Sequence, residues 1–398
     1  MAVIILDGHL KSALSAVRSL GTSGVAVVCG AERGSAMACQ SKYVKKGFVY
    51  TSPKNNQEQF VAAVLKEAQE LFLTTKEKSV VFCFSDATLL TLARVRTRLQ
   101  DFVILPMPSL ESLEVASDKS LTYVRAKELG VPTIATYRED EFDTVKYPAV
   151  VKNKHSIVWK EGKSISGSAE FVFSKEELVA LYKKNQKESG EAPLVQEFVV
   201  GEEYGVEMVC DTGVPLATFV HKRIRSLSPR GGAAVVKETA LETKEVALMR
   251  AYALQLTQSL LWHGPVMIEF KINSKTGEVL LMEINGRFWG SLPLAVKAGV
   301  DFPMMAYKLA LGETVVKNGD DFLVPHTRTR HFLGDCKWLL SVLFTHDKLR
   351  SLLYPSRLRA LFDFKIEPFL SKGDIFVWND PKPSIMEYVD IVSKHVWK

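Results

Sequence analysis

Cysteine is scarce in this chain and follows no pattern. Its five residues (Cys29, Cys39, Cys83, Cys210 and Cys336) are odd in number and lack the short paired spacings of a zinc site. That argues against a disulfide framework and against zinc, and makes a reducing cytoplasm the expected compartment. Long hydrophobic runs are missing too. None approaches the ~20 residues of a membrane span, and the apolar start Ala2-Val3-Ile4-Ile5-Leu6 stops at Asp7 without the basic flank of a secretion signal. Charge of one sign is not in large excess: 51 Lys and Arg against 45 Asp and Glu give +6 over 398 residues. Such a balance admits anionic ligands but gives no reason to expect nucleic-acid binding. Internal repeats and low-complexity tracts are absent. With 47% hydrophobic residues and 24% charged, the composition is that of a folded globular protein, long enough for two or three domains.

Glycine is also sparse where a dinucleotide would need it. The loop Asp7-Gly8-His9-Leu10-Lys11-Ser12 follows a short apolar strand at residues 3–6 but holds one glycine. The GxGxxG fingerprint uses three, so an NAD(P) oxidoreductase is disfavoured. The surrounding pattern still alternates: helix 12–20, strand 25–29, helix 57–72 and strand 79–84 predict a parallel sheet with helices on both faces, a Rossmann-like start of about 110 residues. From Asp118 the texture changes. Asp118 caps a helix with Leu121, Val124, Ala126 and Leu129 toward one side, stopped by Gly130-Val131-Pro132. Strands are expected at 147–152, at 194–200 with 204–210, and at 265–272 with 279–285, with helices at 175–184 and 241–260. This is an α+β arrangement. Two short helices follow, one starting at Ser291 and Pro293, the other at Asp301 and Pro303.

The hairpin 266–272/279–285 is the most informative stretch. A three-residue loop Lys275-Thr276-Gly277 pairs Ser274 with Glu278 and, further along, Glu269 with Glu283. The alternation then turns both acids away from Val266, Ile268, Phe270, Leu280, Met282 and Ile284, which form the core face. Directly opposed side chains on neighbouring strands sit roughly 4.5–5.5 Å apart, and like charges there repel. Protons or a cation must relieve them. Asn285 points the same way and adds a neutral oxygen, giving a hard donor set suited to Mg²⁺. The alternative is a solvated edge neutralised by Lys271.

Other candidates are individually weaker. Lys119 lies in the first turn of a capped helix, and Lys152 closes the strand Pro148-Ala149-Val150-Val151; an ammonium there calls for an anion such as a phosphate. The segment from Leu194 to Tyr204 carries Gln196, Glu197, Val199 and Glu203, and its backbone can present C=O and N–H to an adenine edge. His221-Lys222-Arg223-Ile224-Arg225, with Gly231-Gly232 following, clusters cations beside a flexible turn. Arg287 continues the acidic face.

Taken in order, these pieces resemble the ATP-grasp superfamily of carboxylate–amine ligases from Met1 to about Gly312. The resemblance rests on Ser117-Asp118-Lys119 with Gly130-Val131-Pro132, Tyr147-Pro148-Ala149-Val150-Val151-Lys152, Val195-Gln196-Glu197 with Gly201-Glu202-Glu203, Ile268-Glu269-Phe270, and Met282-Glu283-Ile284-Asn285-Gly286-Arg287. The stretch Glu283-Ile284-Asn285-Gly286-Arg287-Phe288-Trp289-Gly290-Ser291 is similar to predicted carboligases of the D-aspartate ligase-like kind and to carbamoyl-phosphate synthetase. The resemblance implies a Rossmann-like domain at 1–112, a two-lobed ATP-grasp domain at 113–316 with its small lobe at about 145–200, and a C-terminal extension at 317–398. It implies that Lys119 and Lys152 hold ATP phosphates, that the backbone of Glu197 and Val199 reads adenine beside Gln196, and that Glu203 takes the ribose. Glu269, Glu283 and Asn285 would bind two Mg²⁺, with Mn²⁺ as a substitute. Arg287, with Arg223 or Arg225, would steady the phosphoryl group and the substrate carboxylate. A phosphate-covering loop would fall at 153–168, although Asn153-Lys154-His155-Ser156 stand where many relatives have glycine and serine, and Gly162, Gly167 and Ser168 come later. The implied activity joins a small carboxylate to an amine at the expense of ATP; a nucleotide-binding sensor on the same fold is the alternative. Dimers are common among such relatives, so a homodimer is compatible.

Residues 327–364 are basic and amphipathic, with Trp338, Leu339, Leu340, Val342, Leu343 and Phe344 as an apolar core. Packing against the preceding domain is preferred over lying on an anionic membrane surface.

Overall fold

The computed structural model describes residues 1–160, 163–165, 169–315 and 326–396. Its first sheet is built from short strands whose central members are largely apolar and buried on both faces, as parallel sheets require, while one edge strand carries the exposed Lys45 and Lys46. β1 (Val3–Ile5), β2 (Val27–Ala31), β3 (Val44–Val49), β4 (Ser79–Phe82) and β5 (Val103–Ile104) run parallel in the order β3-β2-β1-β4-β5. Helices α1 (Lys11–Thr22), α2 (Gln57–Thr75), α3 (Asp86–Arg94) and α4 (Arg96–Leu99) connect them. Chain order reverses between β1 and β4, the place where such sheets open a crevice at their carboxyl ends. Asp7 ties that edge together. Its carboxylate accepts from Phe84 N–H at 2.9 Å, Ser85 Oγ at 3.1 Å and Thr88 Oγ1 at 2.7 Å.

Next come α5 (Leu110–Ser117) and α6 (Lys119–Glu128). Asp118 caps α6 as the sequence predicts, accepting from Ser120 and Leu121 N–H. The buried side differs from expectation. Leu121 and Val124 face solvent, and Lys119, Thr122, Tyr123 and Ala126 are inside. The reason is polar: Tyr123 Oη donates to Met282 O at 2.8 Å, and Thr122 Oγ1 to Val115 O at 2.7 Å.

β6 (Thr136–Tyr137), β7 (Ala149–Lys152), β10 (Glu170–Val172) and β11 (Leu194–Glu197) form an antiparallel sheet in the order β10-β7-β11-β6, with α7 (Lys175–Ser189) packed on it. β8 (Val158–Lys160) and β9 (Lys163–Ile165) make a separate ribbon. Gly162, Gly167 and Ser168 of the expected covering loop lie outside the described residues.

The largest sheet has seven strands. β12 (Gly201–Asp211), β13 (Val214–Ser228), β14 (Gly231–Thr239), β15 (Gly264–Asn273), β16 (Val279–Asn285), β17 (Arg328–Arg330) and β18 (Lys372–Gly373) pair in the order β16-β15-β12-β13-β14-β17-β18. α8 (Lys244–Ser259) covers one face, burying Val246, Met249, Ala253 and Leu256 against the sheet's apolar residues. The segment from Leu194 to Tyr204 is therefore a passage between two sheets, where a simple hairpin would keep both strands in one.

α9 (Leu292–Lys297) and α10 (Phe302–Ala310) begin where proline predicts. Asp301 caps the second by accepting from Met304 N–H, but Ser291 makes no cap bond. The basic stretch 327–364 is not one helix. It starts as β17 and continues as α11 (Phe332–Phe344), α12 (Arg350–Leu353) and α13 (Arg357–Leu370), with Pro355 in the last break. Trp338, Val342 and Ala360 pack on Val235 and Val236, whereas Leu340 and Phe344 are exposed. The stretch thus packs on the preceding sheet. The last helix, α14 (Lys382–Val396), follows a segment in which Asp374 meets Lys11 and Lys237, and Asp380 meets Arg18. None of the described helices is long and apolar enough to cross a membrane.

Candidate functional site

The hairpin β15/β16 brings Glu269 directly opposite Glu283, the pairing its alternation predicts. The route to that pairing is different. The loop is four residues long (274–277), closed by Asn273 N–H to Glu278 O and by Gly277 N–H to Asn273 O, so Ile272 faces Val279 and Phe270 faces Leu281. A bulge beside Glu269 restores the register. Beside it, on the free edge of β16, Leu281 N–H donates to Pro132 O at 2.8 Å. The bulge also reassigns faces: Leu281 enters the main core, while Leu280 and Met282 turn to a small cluster with Ile134 and Val199.

Cations crowd this pair of acids. Lys119 Nζ lies 3.2 Å from Glu283, and Arg223 Nη2 lies 2.9 Å from Glu269. Asn285 Nδ2 donates to both carboxylates, at 3.2 and 3.3 Å, and its Oδ1 accepts from Arg287 Nη2 at 3.3 Å. Burial alone would raise both acids. For Glu283 it is outweighed by Lys119 and Lys152, which hold the carboxyl down at about 2. For Glu269 burial prevails: Arg223 opposes it, Glu283 adds to it, and the group sits above the ordinary range. Burial lowers Lys152 to about 8, reinforced by Lys119 and countered by Glu283. The site therefore holds opposed carboxylates among more positive groups than the acids can match. That imbalance suits a polyanion.

A cavity of about 1310 Å³ opens between the four-stranded and seven-stranded sheets, and Lys119, Lys152, Arg223, Glu269, Glu283 and Asn285 all line it. Arg287 lines it too and meets Asp86, at the start of α3 beyond β4, at 3.2 Å. The crevice end of the first sheet thus closes one side of the site. Glu203 lines it with its carboxylate between Arg223 at 2.6 Å and Lys271 at 2.9 Å.

Three expected roles meet prior commitments. Gln196 is buried and donates to Tyr123 Oη at 3.1 Å. The Glu197 N–H donates to Ala135 O, and Val199 O accepts from Lys271 Nζ at 3.3 Å. Pairing at the edge of β6 has thus taken the N–H of Glu197. Arg225 is a clearer correction. Although it borders the cavity, its guanidinium is a bidentate partner of Asp335 at 2.8 and 3.0 Å, donates to Glu367 at 2.8 Å, and stacks over Trp338. The C-terminal helices, more than a hundred residues away in sequence, have claimed it.

Sequence reasoning missed Asp86, Tyr123 and a buried trio. Glu207, in mid-strand, accepts from Ser291 Oγ and lies 2.8 Å from His221 Nδ1. His221 and Ser291 line the cavity. One signal was available: an acid inside the apolar run Val206-Glu207-Met208-Val209 is costly unless a partner meets it.

Among the described residues, no group of three or more His, Cys, Asp or Glu is disposed to hold a metal. The fit to Mg²⁺ rests on two glutamates and one amide. Asn285 now presents its nitrogen to both acids; a half-turn of the amide puts its oxygen there instead, completing an all-oxygen set. The residues fit a hard divalent cation.

A family described as "ATP-grasp in the biosynthetic pathway with Ter operon" matches residues 189–329. The carbamoyl phosphate synthase large chain of Myxococcus xanthus is 27% identical over 288 residues, 67% of this chain but 26% of that protein. The chain spans about a quarter of the length of that relative. Among solved structures, the biotin carboxylase domain of Hydrogenobacter thermophilus 2-oxoglutarate carboxylase, in complex with MgADP, ADP and bicarbonate, superposes with a TM-score of 0.60 at 15% identity, covering 79% of this chain and 70% of that one. The L-amino acid ligase of Bacillus licheniformis gives 0.57 at 16%, covering 78% and 73%. These likenesses establish a mixed α/β fold of the same kind.

Proposed function

Starting from an ATP-grasp domain in this chain, we propose that the protein is an ATP-dependent ligase that joins a small carboxylate to an amine through an acyl phosphate. One observation carries the reading. Two opposed glutamates, Glu269 and Glu283, face a large cavity among Lys119, Lys152, Arg223 and Arg287. Such a site is built for a polyphosphate and its metal. In this reading residues 1–112 form the Rossmann-like domain, 113–316 the ATP-grasp domain with its small lobe at about 145–200, and 317–398 the extension. Two Mg²⁺, or Mn²⁺ in their place, would be held by Glu269, Glu283 and Asn285.

Ile134, Val199, Leu280 and Met282 make the apolar cluster in which an adenine ring would rest, with the backbone of Glu197 and Val199 at its edge. Glu203 remains an acceptor for ribose hydroxyls, since a carboxylate held by two cations retains free lone pairs. Lys119 and Lys152 would bind phosphate oxygens. A nucleotide phosphate beside Lys152 would favour its ammonium form and restore the charge that burial weakens. When bound, Mg²⁺ would neutralise charge on the transferring phosphoryl oxygens.

The substrate carboxylate is a poor acyl donor at neutral pH. Its oxygen attacks the γ-phosphorus, the bond to the β-phosphate oxygen breaks and ADP leaves. The amine nitrogen then attacks the acyl carbon and phosphate departs, taking up the surplus proton. Arg287 and Arg223 are the groups placed to orient the carboxylate and the phosphoryl oxygens. The small-lobe sheet would keep water away from the acyl phosphate.

The test supplies Mg-ATP, a panel of carboxylic acids, and hydroxylamine as a general amine that intercepts acyl phosphates. Acid-dependent ADP release with an equal yield of hydroxamate is the expected result. ATP that binds but is not consumed with any acid would overturn the proposal in favour of a nucleotide sensor.

A further inference from the structure

The cavity continues past the acidic pair. At about 1310 Å³ it exceeds the ~300–1,000 Å³ of a pocket for one small ligand. Beyond Arg223 its lining includes Gly231, Gly232, Ala233 and Ala234, none with a side chain larger than a methyl. These small residues leave a passage. It leads to a wall made by the C-terminal helices.

On α13, Arg359, Phe362, Asp363, Ile366, Glu367 and Leu370 follow one another at spacings that keep them on one face, and all six line the cavity. Ala360 and Phe364, on the other side, pack against the cluster of Val235, Val236 and Trp338. The helix therefore has two apolar stripes, and packing uses one of them. Phe362 and Leu370 are 59% and 53% exposed, and Leu353 of α12 adds to the same wall.

Charge on this wall is already matched. Arg359 pairs with Asp363 at 2.8 Å, and Glu367 takes both Arg225 and Arg328 at 2.8 Å. Arg230, at the turn leading into the lobe, is bound to Asp347. Between these pairs, Leu353, Phe362, Ile366 and Leu370 present hydrocarbon to a ligand. A flat apolar patch would suit a protein partner, but this stripe is concave and continuous with the cavity that holds Glu269 and Glu283. Arg223 stands at the junction, 2.9 Å from Glu269 on one side and 3.4 Å from Gly232 O on the other. An acid whose carboxylate rests near Arg223 has this lobe as the continuation of its path.

We propose that the lobe receives the apolar tail of the substrate acid, so that the protein selects carboxylic acids bearing a bulky hydrocarbon or aromatic group, with Phe362, Ile366 and Leu370 setting the preference. This rests on the ligase reading for its chemistry. A fully buried methylene contributes ~0.8 kcal/mol, about a fourfold gain, so affinity should climb two- to four-fold per methylene while the tail stays inside.

The experiment has two arms on the full-length chain. Calorimetry with Mg-ADP present compares acetate, butyrate, hexanoate and 4-phenylbutyrate; hydroxamate formation then follows the same acids with Mg-ATP. The expected result is a rising series in both arms that flattens at least five-fold at its long end in Phe362→Ser and Ile366→Ser. Phe344→Ser, an exposed position that does not line the cavity, serves as the surface control and should keep the slope. Turnover without dependence on the tail, or a slope untouched by Phe362→Ser and Ile366→Ser, overturns the lobe and leaves the ligase standing. Tail-dependent binding with no ADP from any acid supports the lobe and sinks the ligase instead.

Discussion

Lys119 and Glu283 meet at 3.2 Å across the join between a helix N-terminus and a β-hairpin, although they lie far apart in sequence. The contact makes Glu283 the anion that holds two lysines, since Lys152 also acts on it. Glu269 lies directly across the hairpin but answers chiefly to Arg223. The two acids are thus equivalent in register and distinct in charge partner.

Glu283→Gln should reduce acid-dependent ADP formation by on the order of 10²–10³-fold, the scale at which loss of a transition-state electrostatic partner is felt. Far-ultraviolet circular dichroism should stay native, since the isosteric amide can still accept from Lys119. Unchanged ADP formation in this variant would remove Glu283 from the chemistry.

Arg225 should behave as a structural residue. Replacing it with alanine takes one of two arginines from each of the buried acids Asp335 and Glu367, which keep Arg330 and Arg328, and should cost ~1–3 kcal/mol in urea unfolding. Arg225→Lys, which keeps the charge but loses the bidentate fork, should cost less and leave the KM for ATP within about two-fold. A stable Arg225→Lys protein with severely impaired ATP use would return Arg225 to the active groups.

Acid should loosen the C-terminal helices through Asp347. The Arg230 guanidinium is the main cause holding this carboxyl down at about 2, against 3.8 in the unfolded chain; burial opposes it, and Leu349 N–H and Tyr354 Oη assist. Because the folded value is the lower one, the stabilisation is fully present above about pH 4 and is lost as pH falls toward 2. The stability difference between the native chain and Asp347→Asn should therefore shrink over that interval. A difference independent of pH from 5 to 2.5 would show that the pair contributes nothing.

Gly201 is needed for closeness. A Cβ there would sit 1.9 Å from Ile272 O, in the pairing that starts β12 beside Glu203. Gly201→Ala should destabilise by ~1–3 kcal/mol through forced backbone displacement and raise the KM for ATP. Full stability in this variant would mean that β12 and β15 separate there without cost.

Opposition of Glu269 and Glu283 was visible in the alternation of the two strands, yet the bulge that sends Leu281 inward was not, and neither was the bond of its N–H to Pro132 O in a distant turn. The cap at Asp118 was local and legible. The buried face of α6 was not, since hydrophobicity favours Leu121 and Val124 while the hydrogen bonds of Thr122 and Tyr123 decide. Arg225 looked like its neighbour Arg223 in sequence; Asp335 and Glu367, folded back from the C-terminal helices, separated their roles.

By itself, then, the amino-acid order determined what short-range periodicity and capping can specify: the alternating first sheet, the capped helices, and two acids forced together on one hairpin. Tertiary structure alone decided which cation each acid meets, which backbone groups near Gln196 were already spent, and that α13 would wall a cavity with half of its apolar surface. The physical reason is range. Strand alternation and helix caps are settled within a few residues, whereas ion pairing and burial depend on segments brought together from the far ends of the chain, whose approach no local spacing encodes.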